Sequence, residues 1–205
     1  EKVTPQEAHD REDKEISKKL WRLFDEADII IAHNLRNFDE KYAKTRFLVN
    51  GLTPPSPYRT VDTLKVLRRE FKFPSNKQGF LTEHLGLNEK LNTSFSLWQR
   101  AINFDEDALD EMLEYNKQDV RGLEDLYFEI RGWVKSHPNV ALYYNDIEDR
   151  CPNCGSKDLD YRGTYNTNVN EFDALRCGEC GAYMRDRHTN LPETEKVNLF
   201  RPLAR

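Results

Sequence analysis

Two cysteine pairs constrain the fold of this chain more than any other feature. Cys151-Pro152-Asn153-Cys154 and Cys177-Gly178-Glu179-Cys180 are separated by 22 residues. Each pair sets two sulfurs at one tight turn, and Gly155 and Gly181, directly after them, permit the positive φ such a turn needs. Two such turns together offer four soft ligands in a tetrahedron, the arrangement of a structural zinc site. Because all four are cysteine, no coordination position is left for catalysis, and the Zn²⁺ is expected to hold the fold. Two disulfides or four unrelated thiols are the competing readings, and the paired spacing weighs against both. The spacer holds strand-like sequence at 159–164 and 168–175, enough for a hairpin.

The composition changes near Asn139. Upstream, charged helical patterns alternate with short apolar strands, whereas downstream come cysteines, tyrosines, Gly, Asn and Thr. The expected division is therefore 1–138 and 139–205, within the one or two domains that 205 residues allow. Strands flanked by helices imply an α/β core, and the cysteine segment, about 150–188, resembles a zinc ribbon, a small β unit. The longest apolar stretch is Ile29-Ile30-Ile31-Ala32, far short of the roughly 18 residues of a membrane span. With no basic-then-apolar leader in view, the expectation is an intracellular, cytoplasmic protein with no membrane partner (in the host cell, were it phage-encoded). Net charge is −5, which argues against a histone-like binder driven by phosphate neutralisation alone. Residues 151–205 balance eight basic against eight acidic residues, so the excess acid lies upstream.

Thr4-Pro5-Gln6-Glu7 reads as a capping box with proline at the first helical position. The spacing predicts a helix from there to about Ala27, with Ile16, Leu20, Leu23 and Phe24 inward. A buried strand at 28–32 leads into the turn His33-Asn34-Leu35-Arg36-Asn37. A helix over 38–48 ends at Asn50-Gly51. Pro54, Pro55 and Pro57 stiffen the approach to a strand at 58–61. Asp62 or Thr63 then caps a helix carrying Leu64, Leu67 and Phe71. A short helix at 80–85 stops at Gly86, and a long one runs from Asp107 to about Lys135. Residues 140–144 read as a strand, and Trp98 and Trp133 as core.

Two carboxylates carry the chemistry. Asp39 is delivered to the start of a helix by the turn after a buried strand. Tyr115 and Asp119 stand at i and i+4 on one helix face. A carboxylate suits Mg²⁺ or Mn²⁺, and a phenol one turn away can hydrogen-bond a metal-bound water. Separately, each has a plainer reading, Asp39 as a carboxylate favoured by the helix dipole and the pair as an ordinary helix surface. Together and in this order, from His33-Asn34 through Phe38-Asp39 to Tyr115-x-x-x-Asp119, they resemble the second and third motifs of the DEDDy 3′–5′ exonucleases. That group has the ribonuclease H-like fold and includes proofreading and stand-alone phage and bacterial enzymes. Asp62-Thr63-Leu64, Ser75-Asn76-Lys77 and Leu85-Gly86-Leu87 fall in the expected order, and the resemblance covers about 15–135. His33 and Asn34 are read as fixing the turn around Asp39, and Asp62 as a helix cap.

The resemblance implies a first motif, Asp-x-Glu on an opening strand, before Asp39. Asp10-Arg11-Glu12 and Asp13-Lys14-Glu15 lie in a charged helical pattern with no strand before them, and both are rejected. Asp146-Ile147-Glu148 is the better local match, yet it would demand a circularly permuted fold. The expectation is that a segment carrying the opening strands precedes Glu1, so that the chain as written holds half a two-metal site. The resemblance further implies removal of nucleoside 5′-monophosphates from the 3′ end of single-stranded nucleic acid or of a duplex. In that scheme Asp119 is a direct metal ligand, Asp39 supports the second ion, and Tyr115 orients the attacking water. A catalytically incomplete nucleic-acid-binding or assembly module of the same fold is the alternative. Lys65, Arg68, Arg69 and Lys72, at helical spacing, with Lys77, form the most basic strip and a candidate substrate track; a solvated helix face reads equally well. Arg185, Arg187 and His188, after the second cysteine pair, pose the same choice.

Overall fold

The computed structural model describes residue 6 and residues 12–87, 94–146, 148–197, 199–201 and 203. The expected cap at Thr4 and Pro5 lies outside them. The chain divides into two compact units, Glu1–Tyr127 and Phe128–Arg205.

In the first unit, α1 (Lys14–Glu26) packs on α2 (Asp39–Val49), with strand β1 (Ile29–Ala32) between them in sequence. Phe24 and Phe47 meet edge to face at 5.5 Å, as do Phe24 and Tyr58. Ala43, Trp21, Ile30 and Leu52 complete the cluster. The stripe α1 buries is therefore Ser17, Trp21 and Phe24. The expected stripe is corrected: Ile16 and Leu23 are 52% and 64% exposed, and of its members only Phe24 is buried. Both stripes have helical spacing, and they differ by one step of about 100° around the axis. What selects the second is polar. Asn50 Nδ2 reaches both Asp13 Oδ1 (3.0 Å) and Ser17 Oγ (3.2 Å), and Arg46 grips Asp13 with two nitrogens.

Strand β2 (Arg59–Asp62) lies parallel to β1, Ile29 opposite Arg59 and Ala32 opposite Asp62. A parallel pair needs a long crossover, and α2 with the proline loop supplies it. Helix α3 (Thr63–Glu70) follows at once, its first turn capped by Asp62 Oδ1 accepting from the Lys65 N–H at 3.3 Å. The helix ends at Phe71, whose φ of −132° and ψ of 162° are extended. Lys72 thus lies off the helix, contrary to the expected periodicity. Phe73, before Pro74, is barred from helical φ/ψ, and the Phe71 and Phe73 rings pack together at 5.6 Å.

Helices α4 (Gln78–His84), α5 (Phe95–Ile102) and α6 (Glu106–Ile130) follow among the described residues, and α6 runs past the unit's boundary. The sequence pattern does not single out α5. It starts at Ser94, whose hydroxyl accepts from the Leu97 N–H at 3.2 Å. Leu97 takes its buried position, and Trp98, expected in the core, is 48% exposed. On α6 the buried positions include Ala108, Leu126 and Ile130.

The second unit continues α6 into a 3₁₀ turn, Arg131–Trp133, where Trp133 is exposed rather than core. Residues 140–143 form a second 3₁₀ turn and not the expected strand. Asn139 explains the difference, since its side-chain oxygen accepts from the Ala141 N–H at 3.0 Å and winds the chain. Three antiparallel strands follow in the order β3 (Leu159–Asn166), β4 (Glu171–Cys177), β5 (Tyr183–Arg185). The first two are the hairpin expected from the spacer. A short helix, α7 (Glu193–Lys196), comes after them.

Candidate functional site

In the first unit the polar residues gather at the carboxyl ends of β1 and β2, where open α/β sheets place their ligands. The turn after β1 depends on Asn34. Its φ of 72° is left-handed, a conformation asparagine tolerates better than most residues. Its carbonyl accepts from the N–H groups of Asn37 (3.2 Å) and Phe38 (3.1 Å), and its own N–H donates to Asp62 Oδ1 at 3.1 Å. With Leu35 buried beneath it, this turn starts α2 at Asp39. His33 is pinned beside it. Nε2 donates to the Asn76 carbonyl at 2.8 Å, which leaves Nδ1 to accept from the Thr63 hydroxyl at 3.0 Å. The expectation that His33 and Asn34 shape this turn agrees with these bonds.

Charge converges on the same place. Burial holds His33 below its ordinary pKa; the Asn76 carbonyl and the nearby Asp62 and Asp39 charges oppose that shift, and Arg68 adds to it. Asp62 caps α3 as expected, but its second oxygen does more than the sequence indicates. Oδ2 is buried with no hydrogen-bond partner among the described residues. The Asp39 carboxylate is exposed and makes no hydrogen bond or salt bridge among the described residues. A buried carboxylate oxygen without a partner is the kind of donor a hard divalent cation takes. Among the described residues, however, the four cysteines are the one group of three or more such side chains close enough to share an ion, and Asp39, Asp62 and Asp119 are not brought together in that way.

The remaining candidate residues of this unit are on α6. Tyr115 is half-buried and Asp119 exposed, one turn apart on the helix. Gln78 of α4 donates from Nε2 to the Asp119 carbonyl at 2.6 Å. That bond leaves the Asp119 carboxylate uncommitted and anchors α6 to the segment beginning at Asn76, which also holds His33.

Of the basic strip, Lys65, Arg68 and Arg69 are exposed on α3, and Lys77 is exposed at the start of α4. Arg69 is engaged by Glu70 at 2.6 Å, and Lys72 lies beyond the helix. Several of the rejected carboxylates are otherwise occupied. Asp13 is held well below the usual carboxylate range, first by Arg46 and then by Asn50. Glu15 pairs with Lys18 at 2.5 Å. Asp146 is bound by Arg150 in a bend after the second 3₁₀ turn, not on a strand. Asp10 and Ile147 lie outside the described residues.

In the second unit, the two cysteine turns repeat one geometry. Gly155 N–H donates to Cys151 O (2.8 Å) and Gly181 N–H to Cys177 O (3.0 Å), and both glycines have positive φ, 78° and 71°. The turns bring Cys151 Sγ within 3.6 Å of Cys180 Sγ and Cys154 Sγ within 3.5 Å of Cys177 Sγ. All four sulfurs lie within 4.8 Å of one another. No pair is at bonding distance, and a tetrahedral cation with bonds of about 2.3 Å needs sulfurs roughly 3.8 Å apart. The four cysteines are positioned to bind one metal ion. Burial pushes the Cys151 thiol up to about 11 and raises Cys154 as well, so these two would be held as thiolates by a cation among the sulfurs. Asn153 secures the first turn, donating to the carbonyls of Arg131 (2.8 Å) and Val134 (3.2 Å). Gly132 secures the second, because a Cβ there would stand 2.0 Å from the Cys180 carbonyl oxygen. Neither contact is visible in the Cys-x-x-Cys spacing.

A family model described as the RNase_H superfamily matches residues 1–131. No curated protein and no solved structure matches the chain. Among the described residues no helix is long and apolar enough to cross a membrane.

Proposed function

We propose, starting from a chain that belongs to the RNase H superfamily, that it is a divalent-metal-dependent 3′–5′ exonuclease of the DEDDy type. The superfamily supports a nuclease-type function, and the finer reading rests on one observation above the rest. Asn34, in the turn that starts α2 at Asp39, donates to Asp62, while Gln78 ties the Asp119 turn of α6 to the segment that holds His33. Asp119 would ligate one Mg²⁺ or Mn²⁺ ion and Asp39 would support a second. Ions held there would supply electrostatic stabilisation of the charge that develops during phosphodiester hydrolysis.

The chain's own residues have separable tasks. Tyr115 orients the attacking water through its hydroxyl. Arg68 and Lys65 on α3 attract the phosphate backbone. His33, neutral at pH 7, holds the turn through its two hydrogen bonds rather than exchanging protons with substrate. The four-cysteine cluster is read as a structural zinc site of a ribbon-like domain.

The deciding experiment uses the protein expressed from its full reading frame and a single strand labelled at either end. Mg²⁺- or Mn²⁺-dependent release of nucleoside 5′-monophosphates from the 3′ end is expected, from DNA or from RNA. Little turnover is expected from the 205 residues alone. Hydrolysis that proceeds from the 5′ end, or that persists without Asp119, overturns the reading. Binding without hydrolysis by the full-frame protein favours the assembly module.

A further inference from the structure

One face of the three-stranded sheet carries side chains that the proposed hydrolysis leaves unused. Register fixes the face. Tyr165 lies opposite Phe172, Ala174 opposite Arg185 and Arg176 opposite Tyr183, and alternate residues of a strand share a side. Tyr165 and Tyr183 therefore stand on the same face, on the two outer strands, with Ala174 on the strand between. Both rings are in solvent, 53% and 69% exposed. Tyr165, Ala174, Tyr183, Met184, Arg185 and Lys135 line a cleft of about 390 Å³.

Chemistry and shape agree on what would enter it. A methyl floor between two exposed rings leaves room for a flat group, and aromatic rings stack on any base because every base has a π-face. Cations stand on the same face. The Arg185 guanidinium sits 3.8 Å from the Phe172 ring centroid and that of Arg176 5.8 Å from the Tyr183 centroid. The acid on this face, Asp160 opposite Arg176, is paired with Arg162 at 3.1 Å. The local balance is cationic although the chain's net charge is −5.

We propose that this cleft is a base-stacking subsite for single-stranded nucleic acid. Tyr165 and Tyr183 hold a nucleobase over Ala174, and Arg185 and Lys135 contact the flanking phosphates. The proposal rests on the nucleic-acid reading of the chain and extends it to a second, non-hydrolytic contact with the strand. Both DNA and RNA offer the base and the phosphate, so the test carries an arm for each.

The test uses the full chain with Asp119→Ala, in buffer without added divalent ions or chelator. Fluorescence anisotropy compares labelled oligothymidylate and oligouridylate with abasic strands of equal length. The base-bearing strands are expected to bind about tenfold or more tightly. Tyr165→Ala and Tyr183→Ala should each remove about that factor, and Tyr165→Phe and Tyr183→Phe should retain it. Arg185→Gln should lower the salt slope by about one. Iodouracil in the strand should photo-crosslink to Tyr165 or Tyr183 in protein with both tyrosines intact, a readout independent of whether the alanine variants fold. Equal affinity for abasic strands, or crosslinks confined to residues outside this sheet, overturns the proposal. Either result leaves hydrolysis through Asp119 untouched, and base-dependent binding by a chain that never hydrolyses overturns only the exonuclease reading.

Discussion

At the scale of single residues, the proposed roles separate by what each substitution removes. Asp119→Ala takes away a direct metal ligand and is expected to abolish nucleotide release by the full-frame protein; Asp39→Ala should be nearly as severe. Tyr115→Phe removes only a hydroxyl, so its rate should fall while the metal dependence measured by Mn²⁺ titration stays the same. Full activity in Asp39→Ala would return Asp39 to a dipole-favoured helix carboxylate. His33 makes a second prediction, of stability against pH. Its pKa is lowered in the fold, chiefly by burial, from an ordinary value of 6.5. The unfolded chain therefore binds the proton more readily, and the contribution of neutral His33 is complete above pH 6.5 and lost as pH falls below it. Urea unfolding at pH 5 and pH 7.5 should show that loss, and His33→Gln should shrink it. His137, lowered chiefly by burial as well, will keep a remainder. An unchanged pH dependence in His33→Gln would show that its burial does not bear on folding.

At the scale of elements, each unit has its own anchor, a helix pair in the first and a pair of cysteine turns in the second. Phe47 is 2% exposed and packs edge to face on Phe24, so Phe47→Ala should cost about 3–5 kcal/mol in denaturant unfolding. A loss under about 1 kcal/mol would mean that α1 and α2 repack around the gap. The cysteine turns should bind one equivalent of zinc per chain, measured by elemental analysis of protein purified without chelators. Cys177→Ser or Cys151→Ser should release the metal and unfold β3–β5, because the free energy of binding such a site is largely free energy of folding. Two disulfides in the purified protein would sink this. These elements also mark where pattern reading stops. Ile16, Leu20 and Leu23 match a helical stripe as well as Ser17, Trp21 and Phe24 do, and only the partner helix chooses between them. Residues 140–144 have strand propensity, yet a single asparagine side chain winds them into a 3₁₀ turn.

At the scale of the molecule, net charge −5 opposes nucleic-acid binding at long range, and local strips must overcome it. Lys65→Gln with Arg68→Gln is expected to flatten the salt dependence of single-strand binding by about 0.7 per lost phosphate contact. Arg69→Gln should do less, since Glu70 already engages that guanidinium. An unchanged slope would return α3 to a solvated face. What the sequence by itself determined is local: the cysteine turns with their glycines and the Asp62 cap each depend on residues within a few positions of one another. Their chemistry is readable because short-range sterics and capping bonds are set by neighbours in the chain. Only the tertiary structure decided which apolar stripe faces inward and that Trp98 and Trp133 stay in solvent. The same holds for the links from Gln78 to Asp119, from Asn153 and Gly132 to the cysteine turns, and between Tyr165 and Tyr183 across β4. Each of these joins residues far apart in sequence, and burial and strand register are properties of the partners a residue meets, which no local pattern encodes.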